Sequence, residues 1–115
     1  MGKPLDNYLR RERRRLGLSQ ETFAYLIGCR NGSKISRYER FRRVPNLRTA
    51  FACAIVLHAP VQELFAGIYE DARQNVTVRA HLLEREMIEN DGHKALRTVR
   101  TPRQIIAERK EGETV

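Results

Sequence analysis

Cysteine is scarce in this 115-residue sequence: only Cys29 and Cys53 occur, far apart, with no CxxC pair and no Cys/His ligand spacing. A zinc site is therefore not expected. Cys53, in "AFACAIVL", reads as a small core residue. Cys29 lies in a turn, where a packing role fits better than a reactive thiol. The histidines, His58, His81 and His93, are scattered, without a nucleophile or carboxylate partner at a telling spacing, so no catalytic constellation forms. His58 ends an apolar stretch, where it suits the C-terminal cap of a helix. Sustained strand alternation, internal repeats and low-complexity tracts are missing, and with no strand there is no glycine-rich phosphate loop following one. The longest apolar run, "AFACAIVLHAPV", is too short to span a bilayer. The first twenty residues are charged and lack the pattern of a signal peptide. A reduced, cytoplasmic, nucleoid-associated protein without metal, cofactor or enzymatic activity is the expectation.

Positive charge, by contrast, is abundant and uneven. Residues 1–69 hold 13 Lys/Arg against 5 Asp/Glu, a net of +8, whereas residues 70–115 hold 9 of each, a net of 0. All the excess charge thus falls in the first part, as a surface meeting a polyanion requires. Arg-rich helices can also be merely soluble, and charge alone does not separate the two. The chain is long enough for one modest core with an appendage.

Helical periodicity fills the first part. Leu5, Leu9 and Leu16 recur among "RRERRR", predicting an amphipathic first helix between Pro4 and Gly17. Ser19 caps a second helix, "QETFAYLIG", which Gly28 stops. Asn31 caps a third, with Ile35 and Tyr38 facing inward and Gly32, Ser33, Ser36 and Arg37 on the other side. A loop through Val44-Pro45 leads to Asn46, the cap of a nearly all-apolar fourth helix, "LRTAFACAIVLH", expected to be the most buried. Pro60 opens a fifth, "PVQELFAGIY", with Val61, Leu64, Phe65 and Ile68 inward. The fold class is all-α: five short helices over residues 5–69 with a helix-turn-helix at the centre, followed by a helical extension over 70–115.

These residues carry a family resemblance. The Leu-Gly-Leu-Ser-Gln run at Leu16–Gln20, Ile-Ser-Arg-Tyr-Glu at Ile35–Glu39, the Pro45 break and Val-Gln-Glu-Leu-Phe at Val61–Phe65 occur in the order found in Cro/C1-type (XRE-like) helix-turn-helix domains of phage repressors and bacterial regulators. Residues 5–66 closely resemble that family. The resemblance implies a five-helix DNA-binding domain, and a structural bridge between Arg13 and Glu39. Two departures stand out. Gly28 precedes Ile35 by seven residues where the family has six, so the turn holds one extra residue around Cys29–Arg30. Arg40-Phe41 stands where the family has a small or glycine-containing turn.

A recognition helix must bring small polar and cationic side chains against base edges in the major groove. Arg37 is the leading candidate for a base contact, followed by Ser33, Lys34 and Ser36; the serines suit capping and solvation equally well. Gly32 gives clearance only. Gln20, at the start of the second helix, matches a family position that donates to a phosphate. Arg40, Arg42, Arg43 and Arg48 are candidate backbone clamps, and Arg30 could serve likewise. RNA is disfavoured, because the basic face lacks an aromatic stacking platform.

In the last third, Ile68, Ala72, Val76, Ala80, Leu83 and Met87 form a helical stripe that ends at Asn90-Asp91-Gly92. Thr101, Pro102 and Gln104 predict a further short helix, and the final "KEGETV" a frayed end. The stripe can fold back or form a homodimer seam; paired half-sites on duplex DNA favour the homodimer. The rival reading is an antitoxin-like or adaptor protein that grips a protein partner through residues 70–115. No membrane partner is expected.

Overall fold

The computed structural model of the chain describes residues 2–90. These form six α-helices and no strand: α1 Leu9–Arg15, α2 Gln20–Leu26, α3 Gly32–Glu39, α4 Leu47–Leu57, α5 Val61–Leu64 and α6 Ala66–Asn90. The chain divides into two compact units between Glu70 and Asp71.

In the first unit, the starts of α2, α3 and α4 are set by side-chain caps. Ser19 Oγ accepts from the Thr22 N–H at 3.0 Å, Asn31 Oδ1 from Ser33 at 3.0 Å and Asn46 Oδ1 from Thr49 at 2.9 Å, each satisfying an amide that no helical carbonyl can reach. Helix ends are set by left-handed residues that fold the chain back on the last carbonyls. Gly17 and Gly28 close α1 and α2 in this way, with Leu18 N–H donating to Arg13 O at 3.0 Å and Cys29 N–H to Ala24 O at 2.8 Å. Phe41 (φ 64) and His58 (φ 52) do the same for α3 and α4 without being glycine. Phe41 is the residue that replaces the small turn expected there, and its backbone strain is on the order of 1 kcal/mol.

Leu9, Phe23, Ile35, Cys53, Leu57 and Leu64 are fully buried and, with Tyr38 and Phe65, make one core drawn from α1 to α5 and the residue after it. Three sequence expectations need correction. The first helix does not include Leu5. Leu5 O accepts instead from the Gly67 N–H at 2.8 Å, Tyr8 N–H donates to Leu64 O at 2.9 Å, and Asn7 Oδ1 caps the Leu9 N–H at 3.1 Å. The same contacts split the expected fifth helix. With Leu64 O given to Tyr8, the helix breaks at Phe65 (φ −113, ψ 45) and α6 begins at Ala66. Nor is α4 buried throughout. Ala50, Cys53 and Leu57 face the core, but Leu47, Phe51 and Ile55 are 69, 51 and 73 % exposed. Their i, i+4, i+8 spacing puts them on one outward stripe that periodicity in an almost uniformly apolar segment could not single out.

The second unit is described through the remainder of α6. Ala80 is buried and Met87 half-buried, while Ala72, Val76 and Leu83 of the expected stripe are exposed, together with Val78, Leu82 and Ile88. The helix expected from Thr101, Pro102 and Gln104 and the expected frayed end lie outside the described residues.

Candidate nucleic-acid interface

Helix α3 is divided by its own sequence into an anchored and a presented face. Ile35 and Tyr38 are buried in the core, and Asn7 Nδ2 donates to the Tyr38 carbonyl at 2.8 Å. Ser33, Lys34, Arg37 and Arg40 are exposed, and Ser36 is half-buried. Ser33 Oγ donates to Asn31 Oδ1 at 2.6 Å, so this serine takes part in the cap as well as lying on the open face.

Helix α2 packs directly on α3, and Gly32 makes that approach possible. Gly32 is buried, its N–H donates to Glu21 Oε1 at 3.0 Å, and a Cβ there would come within 2.8 Å of that oxygen and 3.1 Å of Gln20 Cβ. The clearance that Gly32 provides is therefore toward α2, inside the protein, rather than the outward clearance expected of it from the sequence. Glu21 was not a sequence candidate; no spacing rule links a residue at the start of one helix to the first amide of the next.

The Arg13–Glu39 bridge fixes α1 to the end of α3. Arg13 Nε donates to Glu39 Oε2 at 2.7 Å and Nη2 to Glu39 Oε1 at 3.1 Å, while Nη1 donates to Leu18 O at 2.8 Å. The side chains are only 10 and 4 % exposed, and the carboxylate raises the affinity of the Arg13 guanidinium for its proton. Gln20 Nε2 donates to Glu39 Oε1 at 3.1 Å. One amide hydrogen of Gln20 is thus spent inside the protein, leaving the other for an external acceptor.

A cleft of about 440 Å³ runs along the junction of α2 and α3. It brings together Gln20, Ser33, Ser36, Arg37, Arg40 and Arg42. Arg30, Lys34, Arg43 and Arg48 are exposed but do not line it. A second cleft, against α1, adds Arg10 and Arg14, which the sequence pattern did not single out although their i, i+4 spacing puts them on one helical face. Among the described residues no cluster of His, Cys, Asp and Glu could hold a metal ion, and no helix is long and apolar enough to cross a membrane.

Two short helices joined by a tight turn, the second anchored by its apolar face and open on its polar one, define a helix-turn-helix protein. A family model described as "Helix-turn-helix domain" matches residues 7–66, nearly the span that resembles Cro/C1-type domains. The chain belongs to that helix-turn-helix family, and the domain supports DNA binding as its general function. Comparisons with curated proteins and with solved structures found no match.

Proposed function

We propose that this chain is a sequence-specific, double-stranded-DNA-binding transcriptional regulator that inserts residues 32–40 into the major groove. Arg37 addresses base edges, assisted by Ser33, Lys34 and Ser36, since a guanidinium at the open face of a groove-sized helix can bond guanine bidentately. Gln20, Arg30, Arg40, Arg42, Arg43 and Arg48 contact phosphates and set affinity and register rather than sequence preference. The observation that carries this reading is the division of α3: Ile35 and Tyr38 are locked in the core while Ser33, Lys34 and Arg37 are exposed. A helix merely filling the fold has no need of a cationic outer face beside four further arginines.

Residues 5–69 form the DNA-binding part and 70–115 a segment for homodimerisation, which would set two recognition helices about 34 Å apart, one turn of the duplex. Exposed Val76, Val78, Leu82 and Leu83 on α6 support a protein-binding role for this segment. The same exposure favours, as the second reading, an antitoxin-like or adaptor protein whose partner is a different chain.

The test is binding to the duplex upstream of the protein's own gene and to random duplex at several salt concentrations. A preference for the upstream duplex that persists at physiological salt and weakens in Arg37→Ala is the expected result. Equal, steeply salt-sensitive binding to both would reduce the interaction to electrostatics and move attention to a protein partner of residues 70–115.

A further inference from the structure

Helix α1 is outside the helix-turn-helix proper, yet its arginines are not equivalent. Arg11 Nε and Arg15 Nε donate to the two oxygens of Glu12 at 3.1 and 3.0 Å, and Arg11 also lies over the Tyr8 ring at 4.3 Å. Arg13 is consumed by Glu39. Arg10 and Arg14 have no ion pair among the described residues, are exposed, and stand one turn apart on α1.

Both border the cleft of about 570 Å³ between α1 and the α2–α3 pair, far larger than the ~30 Å³ share of one water. Arg40, the residue that follows α3, also borders it, together with Gln20 and Ser36. Four arginines line it against Glu21 and Glu39, a net of +2. Neither carboxylate is idle: Glu39 already accepts from Arg13 and Gln20, and Glu21 Oε1 from the Gly32 N–H. With Arg13 and Glu39 neutralising each other, Glu21 offsets only one of the cations of Arg10, Arg14 and Arg40, which therefore face a polar hollow with an excess of positive charge. This cleft and the α2–α3 cleft have Gln20, Glu21, Ser36 and Arg40 in common, so the hollow adjoins the face that presents Arg37.

We propose that Arg10 and Arg14, with Arg40, form a phosphate clamp for the DNA backbone on the α1 side of the recognition helix. The clamp rests on the DNA-binding reading and extends it. The ligand is a phosphodiester: its charge offsets the cationic hollow, and two guanidiniums one helical turn apart can bond successive or shared phosphate oxygens. By binding the backbone it adds affinity and orients α3 without reading sequence.

The experiment compares the wild-type chain, Arg10→Gln/Arg14→Gln and Arg11→Gln/Arg15→Gln in binding a random-sequence duplex by fluorescence anisotropy over a series of KCl concentrations. The two double variants lose equal charge from the same helix, and circular dichroism melting verifies that each is folded. The slope of log K against log salt is expected to become shallower by roughly 1.8 in Arg10→Gln/Arg14→Gln, about 0.9 for each phosphate that is no longer neutralised. It is expected to stay near the wild-type value in Arg11→Gln/Arg15→Gln. Equal slopes in the two variants would overturn the clamp while leaving DNA binding intact. A wild-type chain that binds no duplex would overturn the clamp together with the reading on which it rests. In a second arm, inorganic phosphate is titrated at constant ionic strength. A phosphate-induced thermal shift that Arg10→Gln/Arg14→Gln abolishes, with duplex slopes unchanged, would make the cleft a small-anion site and reject the DNA clamp.

Discussion

Arg13 makes three hydrogen bonds, two to Glu39 and one to the Leu18 carbonyl, and it makes them almost entirely out of water. The pair ties α1 to α3, so its energetic role is asymmetric. Removing one partner strands a buried charge, whereas replacing both with apolar groups removes the desolvation problem as well. Arg13→Ala is expected to cost about 3 kcal/mol, a fall in melting midpoint of roughly 12–24 °C for a domain of this size. Arg13→Met/Glu39→Met is expected to regain much of that loss. An unchanged midpoint in the single variant would contradict the buried bridge. Cys53 offers a second residue-scale test. Its burial pushes the thiol up to about 12, while an unfolded thiol ionises near ~8.5. Because the folded state holds its proton longer, this group's contribution to stability is complete below the unfolded pKa and is lost as pH rises toward the folded one. Alkaline unfolding profiles of the wild type and Cys53→Ala should diverge in that window. At pH 8 a thiol reagent is expected to label Cys29 in the native protein, and Cys53 only on denaturation; prompt labelling of both would contradict the burial.

At the scale of elements, the junction of α5 and α6 depends on one glycine. A Cβ on Gly67 would lie 2.5 Å from Leu5 O and 2.8 Å from Asp6 Cα, where the N-terminal segment crosses. Gly67→Ala is expected to cost about 1–3 kcal/mol and to release the Tyr8 and Gly67 amides to hydrogen exchange ahead of α4. Full protection of both would argue that the segment is held elsewhere. This crossing also marks where the sequence stops being legible. The caps Ser19, Asn31 and Asn46 and the glycine stops at Gly17 and Gly28 are local signals, each acting within a few residues, so α2, α3 and α4 could be read directly. The late start of α1 and the break at Phe65 have a common, non-local cause: backbone groups of residues 5–8 bond to Leu64 and Gly67. The outward stripe of α4 was hidden for another reason, since apolar residues on both sides of a helix leave no contrast to read. At the candidate interface, Arg37 and Ser36 are legible through the spacing of Ile35 and Tyr38. Arg10 and Arg14 were harder, because five arginines in six residues look alike until Glu12 and Glu39 are seen to take three of them.

For the whole molecule, the charge division and the apolar residues of α6 make separate demands. If residues 70–115 dimerise, sedimentation equilibrium should give twice the 13.4 kDa chain mass for the wild type and the monomer for Leu83→Glu, whose side chain is exposed on α6. A wild-type monomer at micromolar concentration would turn the second unit toward a different partner. The central claim, that α3 reads base edges, is tested most directly by selecting bound sites from a randomised duplex library with the wild type, Arg37→Ala and Arg42→Ala. The wild type should enrich one motif, Arg37→Ala should relax it at a defined position, and Arg42→Ala should retain the motif with uniformly weaker binding. No enrichment by the wild type, or an unaltered motif in Arg37→Ala, would contradict it.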